Sequence, residues 1–251
     1  MRSVVFADID GTLIEPVSLA PTGASVAVAA TDRLGRPVCF RTPQNEQLYK
    51  ILSAADLLIP VTGRSLPAFR RVDITFNSFA ILHHGAMIVD GRGEECIGYG
   101  DEISVDIQRS HEVIDEAFGH AEREIITRGL PLRIYRQTIK GHTVEVCVKH
   151  VHYAADKLST EADAIAAYWH TLPTVRVHRN GNNLALLSDM VTKARAVRWL
   201  ADRLVEQFGA MTTFGIGDST SDLGFMTACD YWMVPRHSQI GQRTVSLMSE
   251  R

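Results

Sequence analysis

The chain has 251 residues, enough for one large or two small domains, and 45% of them are hydrophobic, which is ample for a packed core. Acids number 29 against 26 Lys plus Arg, so a net charge of −3 leaves no basic footprint for nucleic acid and no acidic tail. The four cysteines are scattered without a C-x-x-C, which argues against a zinc site or a disulfide framework and for reduced thiols in a cytoplasm; no apolar run approaches the ~18 residues of a bilayer span.

The first element is Val4-Val5-Phe6-Ala7, a buried strand that stops abruptly at Asp8-Ile9-Asp10-Gly11-Thr12. Two carboxylates at a strand end cost desolvation and repulsion unless a cation or a shared proton compensates them. Residues 15–41 mix prolines and glycines with short apolar runs, and the turn Asp32-Arg33-Leu34-Gly35-Arg36 before Pro37-Val38-Cys39-Phe40 reads as a hairpin or flap beside the acidic strand end. Thr42-Pro43 starts a helix with Leu48, Ile51 and Leu52 on its apolar face. A second strand over 57–61 stops at Thr62-Gly63-Arg64-Ser65, where Ser65 caps a short helix to Arg71. A third, over 79–82, closes at His83-His84-Gly85; adjacent strand residues face opposite sides, so these histidines are not expected to share a metal.

After Gly85 the texture changes. A hairpin is predicted over 86–89 and 96–99, then a helix with Ile107, His111, Ile114, Phe118, Ala121 and Ile125 on one side, stopped by Gly129. Strands follow over 132–136 and 143–149, and the alternation of Val144, Val146 and Val148 means one buried face and one wet face. A helix over 159–170, a strand over 174–177, the polar turn His178-Arg179-Asn180-Gly181-Asn182-Asn183 and a strand over 184–187 complete a one-sided α+β segment. The two-sided pattern then returns. Thr192 caps a helix with Lys193 in its first turn and Ala196, Val197, Leu200 and Leu204 on the core side. A strand over 212–216 stops at Gly217-Asp218-Ser219-Thr220-Ser221-Asp222, a helix opens at Leu223, and a last strand covers 231–234. Trp169, Trp199 and Trp232 read as core. Residues 1–85 and 188–251 thus form a doubly wound α/β domain, interrupted over 86–187 by an α+β insert, and the polar strand endings fall at the carboxyl edge where such sheets bind ligands.

Asp8 with Asp10, Thr62 with Gly63, Lys193, and Asp218 with Asp222 follow one another in the order of the haloacid dehalogenase superfamily, and the chain resembles its phosphatases with a cap inserted between the second and third motifs. The insert resembles the C2-type caps, subtype B by preference, of the group that includes sucrose-phosphate and mannosyl-phosphoglycerate phosphatases and the Cof-type enzymes. The resemblance implies Mg²⁺-dependent hydrolysis of a small phosphorylated metabolite, a sugar phosphate foremost, by a monomer or homodimer. Asp8 would be nucleophile and metal ligand, and Asp10 the proton carrier whose carbonyl reaches the metal. Asp218 would bind the metal directly and Asp222 directly or through water, with Ser219 and Ser221 in support. Lys193, Thr62 and Gly63 would hold the phosphate, with Arg64 as a further phosphate or cap contact. Arg179, Asn180 and Asn182 match a polar substrate loop of such caps or are plain turn chemistry. The second aspartate favours phosphatase over dehalogenase. A sugar phosphomutase shares the first motif and is the alternative enzyme; an idle metabolite-binding module is the non-enzymatic one.

Overall fold

The computed structural model describes residues 1–19, 26–76, 78–152 and 154–249. The chain divides into two compact units, Met1–Tyr99 with Lys193–Arg251, and Gly100–Thr192.

The first unit is built on a parallel sheet in the order β13 (Tyr231–Met233), β12 (Met211–Ile216), β1 (Arg2–Ala7), β5 (Leu57–Pro60). Val4, Phe6 and Ile59 are fully buried, as expected for strands covered on both faces. The register sets Ala7 beside Ile216 on one side and Pro60 on the other, so the three strands end level. Helix α6 (Lys193–Phe208) buries Ala196, Val197, Leu200 and Leu204. Helix α1 (Pro43–Leu52) starts from a reciprocal cap: Thr42 Oγ1 accepts from Asn45 N at 3.1 Å, and Asn45 Oδ1 from Thr42 N at 3.0 Å. The flap is an antiparallel sheet in which β4 (Pro37–Arg41) lies between β2 (Glu15–Pro16) and β3 (Ala27–Thr31); part of the 15–41 segment lies outside the described residues.

Three readings need correction here. β6 (Ala80–Leu82) pairs antiparallel with β7 (Met87–Val89), within the first unit. Residues 97–99 are not the return strand; they open the helix α3 (Ile97–Arg128), and the return is a single bridge of Glu95 to Val89, beside which Cys96 N–H donates to Ile88 O at 2.8 Å. The fully buried Tyr99 fixes that start, its hydroxyl donating to Gly85 O at 2.5 Å and its ring 5.2 Å from that of Trp199. The division therefore falls at Gly100 and Lys193, against the expected 86 and 188, because the β6–β7 hairpin and Tyr99 pack with the first unit. Trp232 is 54% exposed on the edge strand, so it is not a core residue; Trp169 is.

The second unit carries an antiparallel sheet in the order β10 (Val175–Asn180), β11 (Asn183–Ser188), β9 (His142–His150), β8 (Leu132–Ile139). One face, with Val146, Val148, Leu184 and Leu186, packs on Ile114, Ala117 and Ala121 of α3 and on Leu158, Ile165 and Trp169. Those last three come from two helices, α4 (Ala155–Glu161) and α5 (Asp163–Trp169), where one was expected; the chain breaks at Ala162 (φ −95°, ψ 4°).

Candidate active site

Because β1, β5 and β12 end level, the residues that follow them meet at one edge. Asp8 N–H donates to Ile216 O and Val61 N–H to Ala7 O, both at 2.8 Å, so the ladders continue one step into the loops. Gly11 closes the first loop at φ +87°, and a Cβ there would stand 2.6 Å from Asp218 Oδ2. Only glycine lets the first loop lie against the Asp218 carboxylate.

Lys193, 7% exposed, bridges two buried carboxylates: its Nζ donates to Asp8 Oδ1 at 2.6 Å and to Asp222 Oδ1 at 2.7 Å. The other Asp222 oxygen accepts from Ser219 N at 3.0 Å and Ser219 Oγ at 2.8 Å, and Ser219 Oγ lies 2.8 Å from Ser221 Oγ. Asp8 Oδ2 is buried with no hydrogen-bond partner among the described residues. Carboxylate oxygens of Asp8, Asp218 and Asp222 come within 4.8 Å of one another.

The electrostatics follow from this crowding. Burial raises Asp8 well above the carboxylate range; Lys193 opposes this, while Asp222, Asp218 and Asp10 add to it. Burial and then Asp222 push Asp218 up to about 7. Asp222 falls below its usual value in spite of burial, because Lys193 and the Ser219 hydrogen bonds stabilise its charge. Lys193 is held protonated, the pull of Asp222 and Asp8 outweighing its desolvation. One ammonium thus serves a cluster of three carboxylates that is short of positive charge. Hard oxygen donors, a spare buried oxygen on Asp8 and an excess of negative charge fit Mg²⁺.

The second loop differs from expectation. Thr62 is 1% exposed and its Oγ1 accepts from Arg64 N at 3.1 Å, which leaves the hydroxyl proton to donate. Gly63 abuts the imidazole of His84, and a Cβ on it would collide with that ring. His83 and His84 follow β6 directly, in a short 3₁₀ turn with left-handed φ of 50° and 56°. Arg64 is turned to Asp10: Nε donates to Asp10 Oδ2 at 2.8 Å and an Nη to Oδ1 at 2.5 Å. Cys39, from the flap strand β4, touches both, accepting from Arg64 at 3.2 Å and lying 3.7 Å from Asp10 Oδ1. Burial pushes the Cys39 thiol up to about 11, so it serves as packing and weak hydrogen bonding. No sequence signal marks Cys39, because its contact spans two loops.

The remaining expected residues lie in the second unit. Arg179 sits on the helix-facing side of the sheet opposite Leu184, and its guanidinium donates to Ser159 O and Oγ and to Asp163 Oδ1 at 2.8 to 3.3 Å. It ties α4 and α5 to β10. Asn182 pins the turn to β9, its Oδ1 accepting from His150 N at 3.0 Å and its Nδ2 donating to His150 O at 3.1 Å. Asn180 ends β10 opposite Asn183.

No protein-family model matches the sequence, and no curated protein does. Among solved structures, a trehalose-6-phosphate phosphatase C-terminal domain from C. albicans superposes with TM-score 0.60 at 17% identity, over 90% of this chain and 73% of that one. A sucrose-phosphatase from Synechocystis, solved with sucrose and phosphate, superposes with TM-score 0.55 at 16% identity, over 99% of this chain and 98% of that one. A trehalose-6-phosphate phosphatase related protein gives 0.50 at 20% identity, over 98% and 96%. The chain has the fold of these phosphatases. It joins an α/β unit built on a parallel sheet to a second α+β unit, the fold class expected from the sequence. Among the described residues, no helix is long and apolar enough to cross a membrane.

Proposed function

We propose that the chain is a Mg²⁺-dependent phosphohydrolase that cleaves a small phosphorylated sugar through an aspartyl-phosphate on Asp8. The observation that carries this is the buried Asp8–Lys193–Asp222 bridge with Asp218 beside it at the carboxyl edge of the sheet. Phosphate monoesters hydrolyse so slowly that enzymes supply up to ~10²¹-fold acceleration, so the site must combine nucleophile, charge neutralisation and proton transfer. A carboxylate oxygen of Asp8 attacks phosphorus, and the attack expels the sugar alkoxide.

Asp8, Asp218, Asp222 and the Asp10 carbonyl would hold Mg²⁺, which supplies positive charge to bring a dianionic phosphate up to a carboxylate. Lys193 donates to the phosphate oxygens and opposes the burial that disfavours the Asp8 charge, an effect that bound Mg²⁺ would reinforce. The Thr62 hydroxyl proton and the Gly63 amide cover another oxygen. Asp10 protonates the departing alkoxide, then takes a proton from the water that opens the acyl phosphate. Arg64, engaged with both Asp10 oxygens, acts through that carboxyl and not on phosphate. The second unit is the specificity cap.

The test is phosphate release from a sugar-phosphate panel with and without Mg²⁺, for the parent chain and Asp8→Asn. Release that needs Mg²⁺ and Asp8 supports the reading. No turnover on any member overturns it, and an isomerised sugar phosphate in place of free phosphate identifies a mutase.

A further inference from the structure

The parallel sheet of the first unit ends at β13, and that edge is built unlike the rest of the sheet. Val4, Phe6 and Ile59 on the inner strands are fully buried, whereas Tyr231, Trp232 and Met233 are 60%, 54% and 51% exposed. Successive strand residues point to opposite faces, so β13 is open on both. Its outer edge is open as well. Met233 O accepts from Gly217 N, the residue after β12, so the N–H and C=O of Trp232, one residue earlier, point away from β12. An open apolar edge strand is a template for pairing with another chain.

The helix that follows, α8 (Gln239–Ser249), has a matching deficiency. Its first turn is fixed at the end of β12: Ile240 N–H donates to Asp218 O at 3.1 Å, and Gln239 Oε1 accepts from Thr220 N at 2.8 Å and Thr220 Oγ1 at 3.0 Å. A Cβ on Gly241 would strike the carbonyls of Pro235 and Arg236, so this turn is also tightly seated. Beyond it every residue from 242 to 249 is exposed. Helical spacing nevertheless sorts them. Thr244, Val245, Leu247 and Met248 follow Ile240 on one side, with Gln242, Arg243, Ser246 and Ser249 on the other. An 11-residue helix is marginal alone in water, and a one-sided apolar stripe is the means by which it is held against something else.

Three observations select a second copy of the chain as that cover. Helices that lie on membranes are rich in Lys and Arg on the polar side, whereas α8 holds Arg243 alone among neutral residues there. Tyr231, Trp232, Met233, Val245, Leu247 and Met248, 46 to 74% exposed, offer roughly 700 Å² between them, close to the ~800 Å² that one partner buries in a standard-size interface. Asp230 and Arg236 flank β13 with opposite charge. Asp230 Oδ2 is held by Thr213 N and Oγ1, both at 2.8 Å and both neutral, and Arg236 is exposed. A two-fold axis beside Met233 lays two β13 strands antiparallel, and so sets each Asp230 against Arg236 of the second copy.

We propose that the chain forms a two-fold homodimer through this edge, in which β13 pairs antiparallel with β13 of a second copy and that copy covers the apolar stripe of α8. The dimer does not depend on the chemistry at Asp8.

The test is sedimentation equilibrium of the full chain between about 0.5 and about 50 µM, at about 0.15 M salt to screen long-range attraction. A mass twice that of the chain is expected at the upper end. Trp232→Lys on the strand and Leu247→Glu on the helix each place a charge in the interface, and each should weaken the dimer at least about tenfold. Arg236→Glu sets like charges together and should weaken it about threefold or more. Ser246→Glu, on the polar side of α8, should leave it within about twofold of the parent. All four positions are at least partly open to solvent, and circular dichroism checks that each variant is folded. A monomer at about 50 µM overturns the inference, and so does a dimer that survives either Trp232→Lys or Leu247→Glu. A monomer that co-sediments with phosphatidylglycerol vesicles also overturns it, and gives the stripe of α8 to a membrane.

Discussion

At the end of the parallel sheet three carboxylates share one ammonium, whereas on the open side of the antiparallel sheet the register sets the buried Glu145 in one row with Gln137, Leu187 and Arg176. The difference follows from architecture. Both faces of the parallel sheet are covered, so polar chemistry collects where the strands stop. The antiparallel sheet covers one face only, and the other is a surface to be written on residue by residue. The first region is short of positive charge and so calls for a cation, whereas in the second a carboxylate lies in one row with a guanidinium.

Four changes break or sharpen this contrast. Asp8→Asn removes the nucleophile and should lower phosphate release by at least about 10³-fold with the fold retained by circular dichroism; a loss under about tenfold would take the role from Asp8. Lys193→Met leaves buried carboxylates facing one another, and should lower unfolding free energy in urea by about 3–5 kcal/mol, partly restored by Mg²⁺. An unchanged urea midpoint would mean that the bridge contributes nothing to the fold.

Glu145 tests the opposite region through pH. Its carboxyl titrates at about 7 in the folded chain against an ordinary 4.5, so the folded state binds the proton more tightly. Its contribution is therefore complete below pH 4.5 and is lost as pH rises to about 7. Glu145→Gln should match the parent at acid pH and exceed it by up to about 3 kcal/mol at pH 8, read from melting temperatures across the range. Equal pH dependence in both proteins would place the titration elsewhere. The smallest effect is expected at Arg64. Arg64→Ala should lower kcat by about tenfold with KM little changed, because the arginine acts through Asp10. A rise in KM alone would return Arg64 to the phosphate.

The strand endings were legible in the sequence because each is a local signal, an apolar run that stops at acid or at Thr-Gly, and a parallel register does the rest. Lys193 was legible as a helix start, although its two partners lie 185 and 29 positions away. The partner of Arg64 was not legible, since Asp10 lies 54 positions distant and no periodicity links two loops. The face taken by Arg179 was not legible, because β10 runs on to Asn180, where a turn was expected from His178. A strand's parity decides its faces, and extending it turned Arg179 toward the helices. Ala27–Thr31 carries too little side chain for a strand signal, and Tyr99 opens a helix because of what its ring and hydroxyl reach, which spacing does not record.

The contact between Gly11 and Asp218 has a consequence for reading variation. A Cβ at position 11 would meet the Asp218 carboxylate at 2.6 Å from a backbone already at φ +87°. Gly11→Ala would move an acidic oxygen without altering any group that does chemistry. In a mutational screen scored by activity, a residue with no side chain would rank with the aspartates, and added Mg²⁺ would be the suppressor that separates it from them.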